Sequence, residues 1–253
     1  MIGKMIKENT FEPLCQILGN AGFSRRGSAF FRVHGEDVLH VLHYSKTEHP
    51  FHKEIVQLGL FSLYSELKPQ WLTSSGCIPL YNYRYLSAPR WELERNYWEA
   101  SVKTIALSED VLSFHFHLDD ITNYTIPFLD QIDSQRKIID GIDHLEYLSR
   151  LRKPETPEEA IRLTDMNKYA PYLFEQEYEN AERVIMAFLN SYQVTQLDND
   201  LSKLDARAEA LRQKALLARR GDQSEIQSYL EANFLNSQKL THFCKRQKTG
   251  GKA

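Results

Sequence analysis

A chain of 253 residues with a formal net charge of −3 and 26% charged residues has room for one large domain or two smaller ones, and it carries no basic excess to draw it onto a phosphate backbone. Its hydrophobic share of 42%, with 13 Phe, 13 Tyr and 3 Trp, supplies a packed core and excludes global disorder. No run approaches the roughly 18 apolar residues of a spanning helix, so a membrane protein is not expected.

The start, Met1-Ile-Gly-Lys-Met-Ile-Lys-Glu-Asn, has two lysines but no apolar run behind them, which is unlike a secretory signal; the expected location is the cytoplasm. Cys15, Cys77 and Cys244 are odd in number and far apart, a pattern that fits neither a disulfide framework nor a Cys-x-x-Cys zinc set. They read as reduced thiols that pack as small apolar side chains.

In chain order, Thr10 can cap a helix that has Pro13 in its first turn and Phe11, Leu14 and Leu18 on one face, with Gly22 placed to end it. The period then becomes extended. Ala29 to Val33, Val38 to Tyr44, Ile55 to Tyr64 and Leu80 to Leu86 are short runs rich in β-branched and aromatic residues, separated by turn residues, and predict an antiparallel sheet of about four strands. Residues 100–120 can be read as strand or helix, with helix preferred, and Thr125-Ile-Pro-Phe reads as helix initiation. Lys153-Pro-Glu-Thr-Pro cannot continue a helix or a central strand. It leads into a capping box at Thr156, Pro157 and Glu159.

Phe174, Tyr178, Ala181, Ile185, Phe188 and Tyr192 keep helical spacing, and Leu197, Leu201, Leu204, Ala208, Leu211 and Ala215 alternate steps of four and three. One long amphipathic helix is expected. Its short, alanine-containing seam predicts half of an intramolecular hairpin and a monomer in preference to a coiled-coil dimer. Gly221-Asp222 breaks the chain before a further helix that Ser224 can cap, and Lys245 to Ala253 reads as a flexible basic tail. The expected class is α+β: a sheet with packed helices over 1–152, a mainly helical lobe over 153–244, and the tail over 245–253.

Three groupings bear on chemistry. His34, His40, His43, His49 and His52 cluster in sequence, but His40 and His43 point to opposite faces of a strand and the others fall in turns, so they read as surface histidines. His115, His117 and Asp119 would share one face of a strand, and the string partly resembles the His-x-His-x-Asp-His of metallo-β-lactamase-type hydrolases, with Asp120 in place of the last histidine. The preferred reading there is packing by Phe114, Phe116 and Leu118, with no metal. Tyr81, Tyr83 and Tyr85 line one side of a strand with Arg84 on the other, and with Trp71 and Trp91 near in sequence they are the first choice for a binding surface. No phosphate-binding loop, nucleophile elbow or His-Glu-x-x-His helix occurs, and no cofactor is expected.

Phe11-x-x-Leu14, Gly22-Phe23-Ser-Arg25-Arg26-Gly27, Phe30-Phe31-Arg32, the Val38 to Tyr44 strand and Val56-Gln-Leu-Gly59-Leu60 together resemble the bacterial family called "domain of unknown function 4304", over about the first half of the chain. The resemblance carries no established reaction. It implies that Gly22, Phe23, Gly27 and Arg32 are framework positions, with Arg32 alternating away from Phe31 toward solvent or an acidic partner.

The functional expectation is a non-enzymatic binding protein, of immunity type or accessory to a defence system, that recognises a protein partner through Trp71, Tyr81, Tyr83, Arg84, Tyr85 and Arg32. The alternatives are a hydrolase using His115, His117 and Asp119, with or without a metal, and single-stranded nucleic-acid binding through Tyr81, Tyr83 and Tyr85, although nucleic acid is disfavoured by the charge.

Overall fold

A computed structural model of the chain describes residues 11–47, 53–67, 77–79, 118–150, 165–195 and 201–246. The expected strand from Leu80 to Leu86 with its three tyrosines, Trp71, Trp91, His115, His117 and the expected capping box at Thr156 lie outside these residues.

Helix α1 (Phe11–Asn20) buries Leu14 and Leu18 and stops at Gly22, which takes φ +82°. Gly22 N donates to Gly19 O at 3.1 Å and Phe23 N to Leu18 O at 2.9 Å, the paired bonds that close a helix on a left-handed residue. Phe23 is thereby turned into the core. The chain then forms β1 (Ser24–Arg26), β2 (Ala29–His34), β3 (Val38–Thr47), β4 (Lys53–Ser62) and a two-residue β5 (Ile78–Pro79), each antiparallel to the one before. The class is α+β as expected, with β3 reaching three residues past the predicted end at Tyr44 and β4 ending before Tyr64.

His34 pairs with Val38, which leaves Gly35, Glu36 and Asp37 as the turn between β2 and β3. Gly35 has φ +63°, and a Cβ there would stand 2.9 Å from the carbonyl oxygen of Asp133. The turn therefore needs glycine twice over, for its backbone conformation and for its close approach to the helical segment beyond.

Residues of β3 are buried on both sides, which explains its nearly unbroken apolar run. Phe30, Val38, Leu42, Leu58 and Leu60 face α1 and the helices of 118–150, meeting Leu14, Leu18, Leu129, Ile138 and Ile142. On the opposite face Phe31, Leu39, Val41, Phe61 and Cys77 form a second apolar layer, with Phe234 packed against it. Each such large side chain taken fully out of water stabilises the fold by about 1.5–3 kcal/mol.

The expected initiation at Thr125 is not a start. A helix is already running from α2 (Leu118–Asp120) through a π-turn (Ile121–Thr125) into α3 (Ile126–Asp130), and Pro127 is tolerated in the first turn of this last piece. After α4 (Gln135–Arg150) and a 3₁₀ turn (Asp165–Lys168) come α5 (Tyr169–Phe174), α6 (Tyr178–Thr195), α7 (Leu201–Arg220) and α8 (Gln223–Arg246).

The long helix expected from Phe174 onward is thus replaced by separate segments. Phe174 closes α5, and Gln176 at φ 60° turns the chain, with Gln176 N bonded to Leu173 O at 3.2 Å and Glu177 N to Tyr172 O at 2.8 Å. Helices α6 and α7 then pack as an antiparallel hairpin. Ala181, Ile185 and Leu189 share one core with Ala208, Leu211 and Ala215, Arg219 Nε donates to Glu182 at 2.8 Å, and a Cβ on Gly221 would lie 3.2 Å from the Tyr178 ring. The alanine-containing seam is covered by α6 within the chain. Asp222, rather than Ser224, caps α8: its Oδ1 accepts from Ser224 N at 3.0 Å and Glu225 N at 3.1 Å. That helix continues to Arg246, so Lys245 and Arg246, expected in the tail, are helical. Among the described residues no helix is long and apolar enough to cross a membrane.

Candidate functional site

Arg32 stands directly opposite His40 in the β2–β3 pairing, on the face that looks toward α1 and α3. Its guanidinium is 10% exposed and fully engaged. Nη1 donates to Ala21 O at 3.1 Å, Nε donates to His40 Nδ1 at 3.2 Å, and Nη2 is paired with Asp130, while the whole group lies 4.6 Å from the Phe23 ring centre. The acidic partner expected of Arg32 is therefore Asp130, and the arginine is a clasp joining the end of α1, the sheet and the end of α3. It does not present a free binding group at the surface.

His40 corrects the reading of surface histidines, because it is completely buried. Its other nitrogen, Nε2, lies 2.9 Å from Ile132 O. A carbonyl can only accept and an arginine Nε–H can only donate, so His40 is the neutral tautomer with its proton on Nε2. Burial, and then the Arg32 charge, push its pKa from 6.5 down to about 3. His34 closes β2, stacks on His40 with ring centres 5.2 Å apart and bonds the Asp130 carbonyl at 3.1 Å. His43 points to the opposite face, as the spacing of three requires, and pairs with Ser28 Oγ at 3.1 Å; burial lowers its pKa.

Asp119 lies in α2 and is exposed. The strand alternation that would align it with His115 and His117 therefore does not reach it. Among the described residues no group of three or more His, Cys, Asp or Glu side chains is placed to hold a metal. Cys77 is buried beside Gly59, where a Cβ would come 2.7 Å from its Sγ, and burial raises the thiol pKa to about 12. Cys15 accepts from Arg25 Nη1 at 3.3 Å.

A second grouping, which the sequence reading missed, forms where the sheet meets the helices that follow it. Just beyond β4, the Tyr64 ring is set against Phe174 at 4.9 Å and Phe234 at 5.0 Å, both within about 31° of parallel. Phe174 is 43% exposed and Leu235, next to Phe234, is 56% exposed. The carboxylate of Glu66 anchors this joint by accepting from Tyr229 Oη at 3.1 Å and pairing with Lys214 at 2.9 Å. Tyr169 Oη donates to Lys214 O at 2.9 Å, and Ser237 Oγ to Ser65 O at 3.3 Å. Burial and then Glu66 raise the pKa values of Tyr169 and Tyr229, so both phenols stay protonated donors. On the α4 side, Lys168 reaches Asp143 at 2.8 Å and Glu146 at 3.4 Å, and Arg136 pairs with Glu177.

Acidic side chains border the rings. Leu63 N donates to Asp37 O at 2.8 Å, which places the Glu36-Asp37 turn beside Tyr64. Glu231 precedes Phe234 by three residues on α8. Burial, then Asp37, Glu36 and Glu231, raise the Tyr64 pKa. The three rings come from positions 64, 174 and 234, with no local motif to join them; what the sequence does carry is the turn at Gly221-Asp222, which fixes where α8 begins.

Comparison with protein families, with curated proteins and with solved structures finds no match to this chain.

Proposed function

We propose that the chain is a non-enzymatic binding protein, acting in the cytoplasm as an immunity-type or defence-accessory protein, and that it recognises a protein partner through the Tyr64–Phe174–Phe234 surface. The observation that carries this reading is the stack of rings left partly open at the joint, where Phe174 is 43% exposed. Aromatic side chains on a rigid base lose little conformational freedom on binding and dominate interface energetics. The base here is rigid because Glu66, Tyr229, Lys214 and Tyr169 lock the segment that bears Tyr64.

The front half is proposed to belong to the unknown-function family it resembles. Its motif residues have framework roles that suit such a pattern: Gly22 and Gly27 take positive φ, Phe23 is core, and Arg32 is the clasp.

Capture from native lysate at native expression level tests the reading when wild-type bait is run against Phe174→Ser and Leu216→Ser baits. Leu216 is the control because it is a comparably exposed apolar residue, at 41%, on α7. We expect a stoichiometric protein retained by wild type and Leu216→Ser and reduced at least about tenfold with Phe174→Ser, the loss typical of an interface anchor. Equal retention by all three baits would contradict the assignment of the surface.

A further inference from the structure

We propose that the partner segment received by the Tyr64–Phe174–Phe234 surface is basic, an extended stretch that lays arginine or lysine side chains on the rings. This rests on the binding reading above and adds the chemistry of the partner. Two independent features of the joint agree on it.

The first is the rings. Tyr64 stacks on Phe234 at 24° and meets the Phe174 ring tilted by 31°, Phe174 is 43% exposed, and the negative face of an aromatic ring attracts a guanidinium or ammonium. The protein uses the same contact internally, with Arg25 4.6 Å from the Phe11 ring centre and Arg32 4.6 Å from that of Phe23. At the joint the outer ring has only Tyr64 among the described ring and cation contacts.

The second is the charge around the rings. Glu36 and Asp37, in the turn held beside Tyr64 by the Leu63 N to Asp37 O bond, and Glu231, three residues before Phe234 on α8, border them and form no ion pair among the described residues. Lys214, the cation bound into the joint, is already paired with Glu66. An apolar partner would leave these carboxylates facing it unpaired, and an acidic one would be repelled, whereas a basic segment satisfies both rings and rim. The chain's own net charge of −3 favours the same approach over longer range.

The test uses the full chain and a fluorescent peptide of alternating arginine and glycine, with citrulline and glutamate versions as controls, followed by anisotropy at moderate and high salt. We expect the arginine peptide to bind, the citrulline and glutamate peptides to bind at least about tenfold more weakly, and affinity to fall with salt. Phe174→Ala and Glu231→Lys should each weaken the arginine peptide about tenfold, while Glu12→Lys, an exposed reversal on α1 at the other end of the sheet, should leave it unchanged. Circular dichroism confirms that each variant is folded.

Equal binding of the citrulline peptide, or indifference to Phe174→Ala and Glu231→Lys, overturns the inference. If the arginine peptide fails while the native partner is still lost with Phe174→Ser, the surface stands and only its basic specificity falls. If both fail, the binding reading falls with it.

Discussion

Acidification should unfold this protein through His40, with stability falling steadily as the pH drops from 6.5 toward 3. The folded-state pKa of His40 is held at about 3, below the ordinary 6.5, so the unfolded chain takes up a proton that the folded chain refuses. Stability from this residue is fully present above 6.5 and is withdrawn as pH falls toward the folded value; the full loss is roughly 3–5 kcal/mol, a large part of the stability of an ordinary domain. His43, lowered by burial, acts in the same direction. Asp37, raised by burial, acts in the opposite one within the carboxylate range, so the histidine effect is read above that range.

Urea titrations at a series of pH values measure this directly. His40→Gln keeps a group able to donate to Ile132 O and accept from Arg32 Nε but does not titrate, so its stability should be much flatter across the window. A His40→Gln protein with the wild-type slope would show that the acid sensitivity lies elsewhere.

Arg32→Ala should be among the most damaging single changes in the sheet, lowering stability by about 3–5 kcal/mol in urea denaturation at neutral pH. The substitution deletes the donors to Ala21 O and His40 Nδ1 and the partner of Asp130, leaving the buried histidine nitrogen unsatisfied. It also removes one cause of the depressed His40 pKa, so the acid limb should still begin near 6.5 but end at a higher pH than in wild type, with a smaller total loss. Asp130 is 49% exposed, so Asp130→Ala should cost far less, on the order of 1 kcal/mol, because Arg32 retains its other bonds and solvent. Equal losses for the two variants would mean that the surface ion pair, and not the buried network, carries the energy.

These two residues also show how far the sequence could be read. Helix α1 and its stop at Gly22, strands β2 to β4 and the break at Gly221-Asp222 follow from local signals that dictate backbone conformation. The Arg32–His40 contact is also legible, since both are four residues from Glu36 and a turn centred there sets them opposite each other; the alternation within a single strand does not show it. The interruption at Gln176 had no such signal. The left-handed residue that closes α5 is a glutamine where glycine is usual, so helical spacing from Phe174 onward looked continuous. The ring stack was beyond reach because it depends on how α5 and α8 dock on the end of β4, and docking geometry has no local code.

The proposed function seats a protein partner on the open end of this ring stack. Site-specific photo-cross-linking in cells tests it most directly, with p-benzoylphenylalanine placed at Phe174 in one strain and at Leu216 in another. The expected result is a discrete adduct, of one mass, from position 174 and none of that mass from 216, with a yield that falls when Glu231→Lys is added. The same adduct from both positions, or from 216 alone, would contradict it.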